Sequence, residues 1–282
     1  MIKSIIGKLL RHILILLLIL GTGISASAKI IPMTGKVNNG YNYQFYRPDH
    51  ITPTDSTPLP LIVFLHGASL CGNNLEKVKR YGTLDAIARG RKIDAFVVAP
   101  QNPGGSWNPV RVMNIVNYVV AHEKVDTTRI YVIGMSLGGY GTIDCAAAYP
   151  DRFAAAIAIC GGGTTRDLTG LARIPLWIIH GTGDRAVHVS QSDRVVDAVK
   201  NSSDSVSRIS YDRIHGMNHT QPARLFYSVE VYDWLLKHRT TDENRNIVPT
   251  PEVTNKTLRQ AYDGLKSLSH RSHRRHSRHR RK

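Results

Sequence analysis

Five short apolar runs punctuate the chain, at residues 61–65, 95–99, 130–133, 154–159 and 176–179. Most meet a glycine or proline within a few residues, and each is followed by a loop or a helix-patterned stretch. Runs of this length with no polar alternation are the signature of strands buried on both faces of a parallel sheet. Two further segments, 41–47 and 206–214, alternate apolar and polar residues and predict half-exposed strands. Helical spacing predicts helices over 75–89, 110–122, 137–149, 190–200 and 223–238. A Pro/Thr-rich stretch, 48–60, reads as a loop. Strands alternating with helices, joined by right-handed crossovers, give a three-layer α/β domain whose chemistry gathers at the carboxyl ends of the strands.

The termini have a different character. Lys3, Lys8 and Arg11 precede a continuous apolar run, 13–20, and Ala26-Ser27-Ala28 offers small residues for cleavage. Residues 1–28 therefore read as a signal peptide, which places the protein outside the cytoplasm, secreted or periplasmic. From Thr240 the sequence turns polar, with Pro249 and Pro251 and a weak helical patch around 258–265. Residues 269–282 interleave Arg, His and Ser with nothing apolar to offset the entropy of ordering, so 240–282 is expected to be a polar linker with a disordered basic tail. The folded domain is thus expected over residues 29–239.

Charge changes the picture less than its total suggests. Of the formal +16, three positive charges sit in the leader and seven in residues 271–282, so the body carries +6. That balance calls for no specific nucleic-acid partner, whereas the tail is expected to contact an anionic surface. The protein is expected to act as a monomer. Three cysteines, Cys71, Cys145 and Cys160, leave an odd thiol. An oxidising compartment permits a Cys71–Cys160 bridge, and buried reduced cysteines are the alternative.

The chemistry begins at Gly134-Met135-Ser136-Leu137-Gly138, between a strand and a helix. Gly-x-Ser-x-Gly at such a junction forms a strained elbow that projects the serine from the sheet. A serine needs a general base, itself oriented by a third group. Asp184 follows the strand 176–179 in His180-Gly181-Thr182-Gly183-Asp184, where an orienting acid belongs. His219, in His215-Gly216-Met217-Asn218-His219, lies just before the closing helix and is the base, with His215 its competitor. His66 and His180 end strands and are expected to position loops. An oxyanion hole needs two backbone donors. The amides of Leu137 and Ala68 are the candidates, the latter in His66-Gly67-Ala68-Ser69. Asn102 and Trp107, in the loop after 95–99, are candidates for substrate contact, Trp107 as a stacking platform or as a loop anchor. No His-Glu-x-x-His, Cys-x-x-Cys or phosphate-loop pattern is present, so neither a metal nor another cofactor is expected.

As a set, the His66-Gly67-Ala68-Ser69 loop, the Gly134–Gly141 elbow, His180–Asp184 and the late His219 resemble the esterase branch of the α/β-hydrolases. That branch includes polyhydroxybutyrate depolymerase-like and feruloyl esterase-like proteins and is related to prolyl-oligopeptidase-type peptidases. The resemblance spans about residues 41–239 and implies an α/β-hydrolase fold with a mostly parallel sheet and no large cap domain. It further implies a secreted serine hydrolase of carboxylic esters, acting through Ser136, His219 and Asp184. A Gly-Met-Asn stretch before the histidine and the basic tail both depart from the pattern. A prolyl-oligopeptidase-like peptidase and a non-catalytic binding protein on a hydrolase scaffold are the competing readings. Too little sequence precedes residue 41 for a propeller domain, which sets the peptidase second.

Overall fold

The computed structural model describes residues 29–49, 51, 57–202 and 208–266. The leader expected at 1–28 and the basic tail beyond 266 lie outside the described residues. Eight strands form one sheet: β1 (Lys29–Met33), β2 (Tyr43–Arg47), β3 (Leu59–Leu65), β4 (Phe96–Pro100), β5 (Val125–Met135), β6 (Ala155–Ile159), β7 (Leu176–Gly181) and β8 (Ile209–Ile214). Their spatial order is β1-β2-β4-β3-β5-β6-β7-β8. β2 runs antiparallel to β1 and β4, and every other pairing is parallel. The expected three-layer α/β fold with a mostly parallel sheet is what forms.

Alternate residues of the apolar runs feed two separate cores. Leu61, Val63, Leu65, Ile130 and Val132 face one side, under α2 (Pro109–His122), α3 (Leu137–Ala148) and α4 (Ser190–Ser202). Ile62, Phe64, Tyr131 and Ile133 face the other, under α1 (Thr83–Ala88), α5 (Val229–Leu236) and α6 (Asn255–Gln260). The period of two along a strand produces this division. The central strands β3 and β6 are buried along their whole length, so their uninterrupted apolar character follows.

Several expectations are corrected. The helix expected at 75–89 is a 3-10 turn, Leu75–Lys79, then α1, broken at Gly82. The helix expected at 223–238 is a 3-10 turn, Gln221–Tyr227, then α5, divided at Ser228. The loop expected at 48–60 ends early, because β3 begins at Leu59. The boundary at 239/240 does not separate body from linker: residues 247–266 pack on the second core, with Leu258 and Ala261 buried. A capping box between Thr254 and Thr257 starts α6 there. No disulfide joins Cys71 to Cys160; all three cysteines are free thiols.

Candidate active site

β5 delivers Ser136 to the carboxyl end of the sheet, where the chain turns at once into α3. Ser136 has φ 58° and ψ −122°, a conformation that L-residues adopt only under constraint. The constraint is close packing of backbone. A Cβ on Gly138 would lie 1.8 Å from the carbonyl oxygen of Leu65, and one on Gly134 would lie 2.3 Å from the oxygen of Gly138. Only glycine permits that approach. The Ser136 amide donates to Ile159 O at 2.9 Å, which ties the elbow to β6.

Asp184 and His219 come from the loops after β7 and β8 and meet at Ser136. His219 Nδ1 lies 2.6 Å from Asp184 Oδ2, and His219 Nε2 lies 3.0 Å from Ser136 Oγ. A carboxylate only accepts, so the ring proton sits on Nδ1 and Nε2 is free to accept from the Ser136 hydroxyl. The other carboxylate oxygen, Oδ1, accepts from the amides of Ala186 and Val187, each at 2.9 Å. Burial pushes the Asp184 carboxyl up, but His219 and these two amides outweigh it and leave its pKa below the usual carboxylate value. The Asp184 side chain is fully enclosed while that of His219 is 22% exposed, so the relay opens to solvent at the imidazole. The turn holding His219 is fixed by Asn218, whose Oδ1 accepts from the amides of Thr220 and Gln221. His215 is exposed and stands outside the cluster.

The two residues expected to supply oxyanion donors each open a helical turn. Leu137 opens α3, and Ala68 opens a 3-10 turn, Ala68–Leu70, positions whose amides have no acceptor within the helix. The turn passes against the nucleophile, since a Cβ on Gly67 would lie 3.4 Å from Ser136 Cβ. The Gly67 amide donates instead to Tyr81 Oη at 2.7 Å, so Tyr81 holds this loop. No sequence signal marks Tyr81, an aromatic inside what reads as a helix.

Asn102 and Trp107 are not free to contact substrate. Asn102 is 1% exposed, and its side chain accepts from Gly104 N and donates to Gly105 O. Trp107 is 3% exposed, donates to His66 O at 3.3 Å and packs edge-on against Tyr41 and His66. Both anchor loops. His66 does the same: its Nε2 accepts from the Asn102 amide and its Nδ1 donates to Gly67 O. Burial holds the His66 pKa below its ordinary value, so the ring is neutral.

Cys160, Asp184 and His219 bring three metal-ligating atoms within 4.8 Å of one another. His219 Nδ1 and Asp184 Oδ2 already face each other at hydrogen-bond distance, which leaves no space for an ion between them. Burial keeps the Cys160 thiol protonated.

The sequence model of the Prolyl oligopeptidase family matches residues 101–166. Poly(3-hydroxyalkanoate) depolymerase C of Paucimonas lemoignei is 27% identical over 158 residues, 49% of this chain and 36% of the relative. Feruloyl esterase B of Neurospora crassa is 27% identical over 174 residues, 54% of each protein. The chain thus spans about half or less of the length of these curated relatives. Among solved structures, a thermostable esterase superposes with a TM-score of 0.61 at 25% identity, over 74% of this chain and 63% of its own. The feruloyl esterase module from Clostridium thermocellum superposes at 0.56 and 16% identity, over 75% and 88%.

Proposed function

We propose that this chain, an α/β-hydrolase by fold and akin to esterases and prolyl-oligopeptidase-type enzymes in sequence, is an exported serine hydrolase of carboxylic esters. The observation that carries the reading is the pair of contacts at His219, 3.0 Å to Ser136 Oγ and 2.6 Å to Asp184 Oδ2. Ser136 Oγ attacks the ester carbonyl as its proton passes to His219 Nε2. The tetrahedral oxyanion takes hydrogen bonds from the Leu137 and Ala68 amides, each such donor contributing about 3–4 kcal/mol to the transition state. His219 returns the proton to the departing alcohol, leaving an acyl-Ser136 ester. Water, deprotonated by the same nitrogen, then releases the acid and restores the serine. Asp184 stays ionised throughout, holding the tautomer and stabilising the imidazolium.

Replacing Ser136 with Ala is expected to lower turnover of p-nitrophenyl acetate by at least about three orders of magnitude and to abolish labelling by a fluorophosphonate. A variant that cleaves at the parent rate overturns the assignment. Acyl groups on polysaccharides or polyesters are the proposed substrates, supported by relatives named as feruloyl esterase, acetylxylan esterase and poly(3-hydroxyalkanoate) depolymerase. The match to the Prolyl oligopeptidase family supports a second reading, a peptidase using the same three residues. Comparing kcat/KM on feruloyl, acetyl and aminoacyl-prolyl substrates separates them, and a preference for the last would replace the ester reading.

Export rests on the basic-apolar-small pattern of residues 1–28, and the exported protein is expected to begin at Lys29. An uncleaved leader on the mature protein refutes this. The Arg/His-rich segment 269–282 is proposed to hold the enzyme on an anionic surface. Deleting 268–282 should then release it from anionic vesicles without changing turnover, and unchanged vesicle binding would dismiss the idea.

A further inference from the structure

His180 takes no part in the relay just described, yet its polar contacts converge on it. The residue lies near the end of β7, four positions before Asp184, and is fully buried. Its Nε2 lies 3.2 Å from Asp184 Oδ2, the oxygen that also accepts from His219, and 2.9 Å from the carbonyl oxygen of Val187. A carbonyl only accepts, so a neutral His180 ring carries its proton on Nε2. Nδ1 lies 2.7 Å from Ser192 Oγ in the first turn of α4. Ser192 Oγ also lies 2.8 Å from Gly161 O, in the loop just beyond β6, so its one hydroxyl proton is divided between that carbonyl and the bare His180 Nδ1. One ring therefore joins the acid loop, α4 and the β6 loop.

We infer that His180 is a positioning residue for the proposed ester hydrolysis, fixing the Asp184 carboxylate and so governing how strongly that carboxylate stabilises protonated His219. Two imidazoles share one carboxylate oxygen, and catalysis requires that only His219 become charged. His180 meets that requirement. Burial lowers its pKa, against the opposing pull of the Val187 carbonyl and Asp184. The titratable groups facing it are Asp184 in its own loop, His219 from the loop after β8 and Asp193 of α4. The Cys160 thiol abuts the same carboxylate from the first position after β6. A neutral N–H shared with Oδ2 draws off part of the carboxylate's accepting capacity. Removing that donor leaves the oxygen to His219 alone, so the protonated imidazole is held more tightly.

The inference rests on the serine-esterase reading, and the test keeps the two apart by counting competent sites with a fluorophosphonate. Loss of labelling in the parent would defeat the reading itself, whereas the role of His180 is measured as a rate per labelled site. H180A is expected to lower kcat on p-nitrophenyl acetate by about 10- to 100-fold, the cost of a misplaced catalytic group, with KM little changed. The acidic limb of its kcat/KM profile should move to higher pH. H180Q, which can present an N–H near the Nε2 position, should recover most of the rate and return the limb towards the parent. S192A leaves the ring in place and should produce a smaller loss of the same kind. If H180A keeps the parent kcat per labelled site and the parent acidic limb, His180 merely packs and the inference fails. It fails equally if H180Q restores neither parameter.

Discussion

Trp107 sits in the loop after β4, where an outward indole would stack on a sugar or aryl group, but its ring is turned inward. It is wedged between Tyr41, His66 and α3, and a Cβ on Gly141 would fall 2.6 Å from the indole. Truncation here therefore removes support from the loop that carries Ala68. W107A is expected to cost about 3–5 kcal/mol of stability, the range for a buried aromatic, with lower activity on every ester in proportion. W107F should cost less, losing chiefly the hydrogen bond to His66 O. Thermal melts alongside KM for feruloyl and acetyl esters check this. A KM rise confined to feruloyl esters, at parent stability, would restore the stacking role. At this scale the sequence reveals the residues whose chemistry demands a place after a strand: Ser136, Asp184 and His219. It cannot reveal which way a loop side chain turns, so it leaves Trp107 open between platform and anchor, offers Asn102 as a substrate contact although that side chain is buried, and does not mark Tyr81 at all.

Elements are legible where apolar period decides them, and their boundaries are not where polar contacts do. β5 is expected over 130–133 but begins at Val125, because Asp126 supports a polar extension that no hydrophobic pattern marks. Asp126 Oδ1 accepts from the Thr128 amide and hydroxyl, and Oδ2 accepts from Arg129 Nε and Arg239 Nη1. Likewise, the break between the Leu75–Lys79 turn and α1 depends on Gly82 at φ 86°, pressed against the Phe64 ring, which helical periodicity does not register. Burial alone would push the Asp126 carboxyl up, but the Thr128 and Arg129 bonds prevail and bring it from 3.8 to about 2. A depressed folded-state pKa stabilises the fold fully above the unfolded value and loses that contribution as pH falls through the folded one. D126N should therefore melt below the parent at neutral pH, with the gap narrowing as pH drops from 3.8 towards about 2. Melting curves across that range test it, and a gap independent of pH would show that the charge is not what matters.

On the scale of the whole molecule, the second core is completed only by chain that follows the expected domain end. Its apolar residues are too sparse to announce a folded segment: Leu258, Ala261 and Leu265 are spread over two turns with polar neighbours. The attachment is tertiary. Trp234 Nε1 donates to Val248 O, Arg91 Nη2 donates to Ala261 O, Lys266 N donates to Arg89 O, and Tyr262 stacks on Tyr227. Leu258 is 1% exposed, so L258A alone should cost about 2–5 kcal/mol. The segment also bears on chemistry, because Gln221 Nε2 donates to Asn255 Oδ1 at 3.2 Å, and Gln221 belongs to the turn that fixes His219. A chain ending at Arg239 should therefore melt at lower temperature and lose kcat, whereas one ending at Lys266 should match the parent in both. Parent-like melting and turnover of the shorter chain would mean that residues 240–266 lie on the body without supporting it. A fall in stability with turnover unchanged would confine their role to packing and leave the turn at His219 held by Asn218 alone.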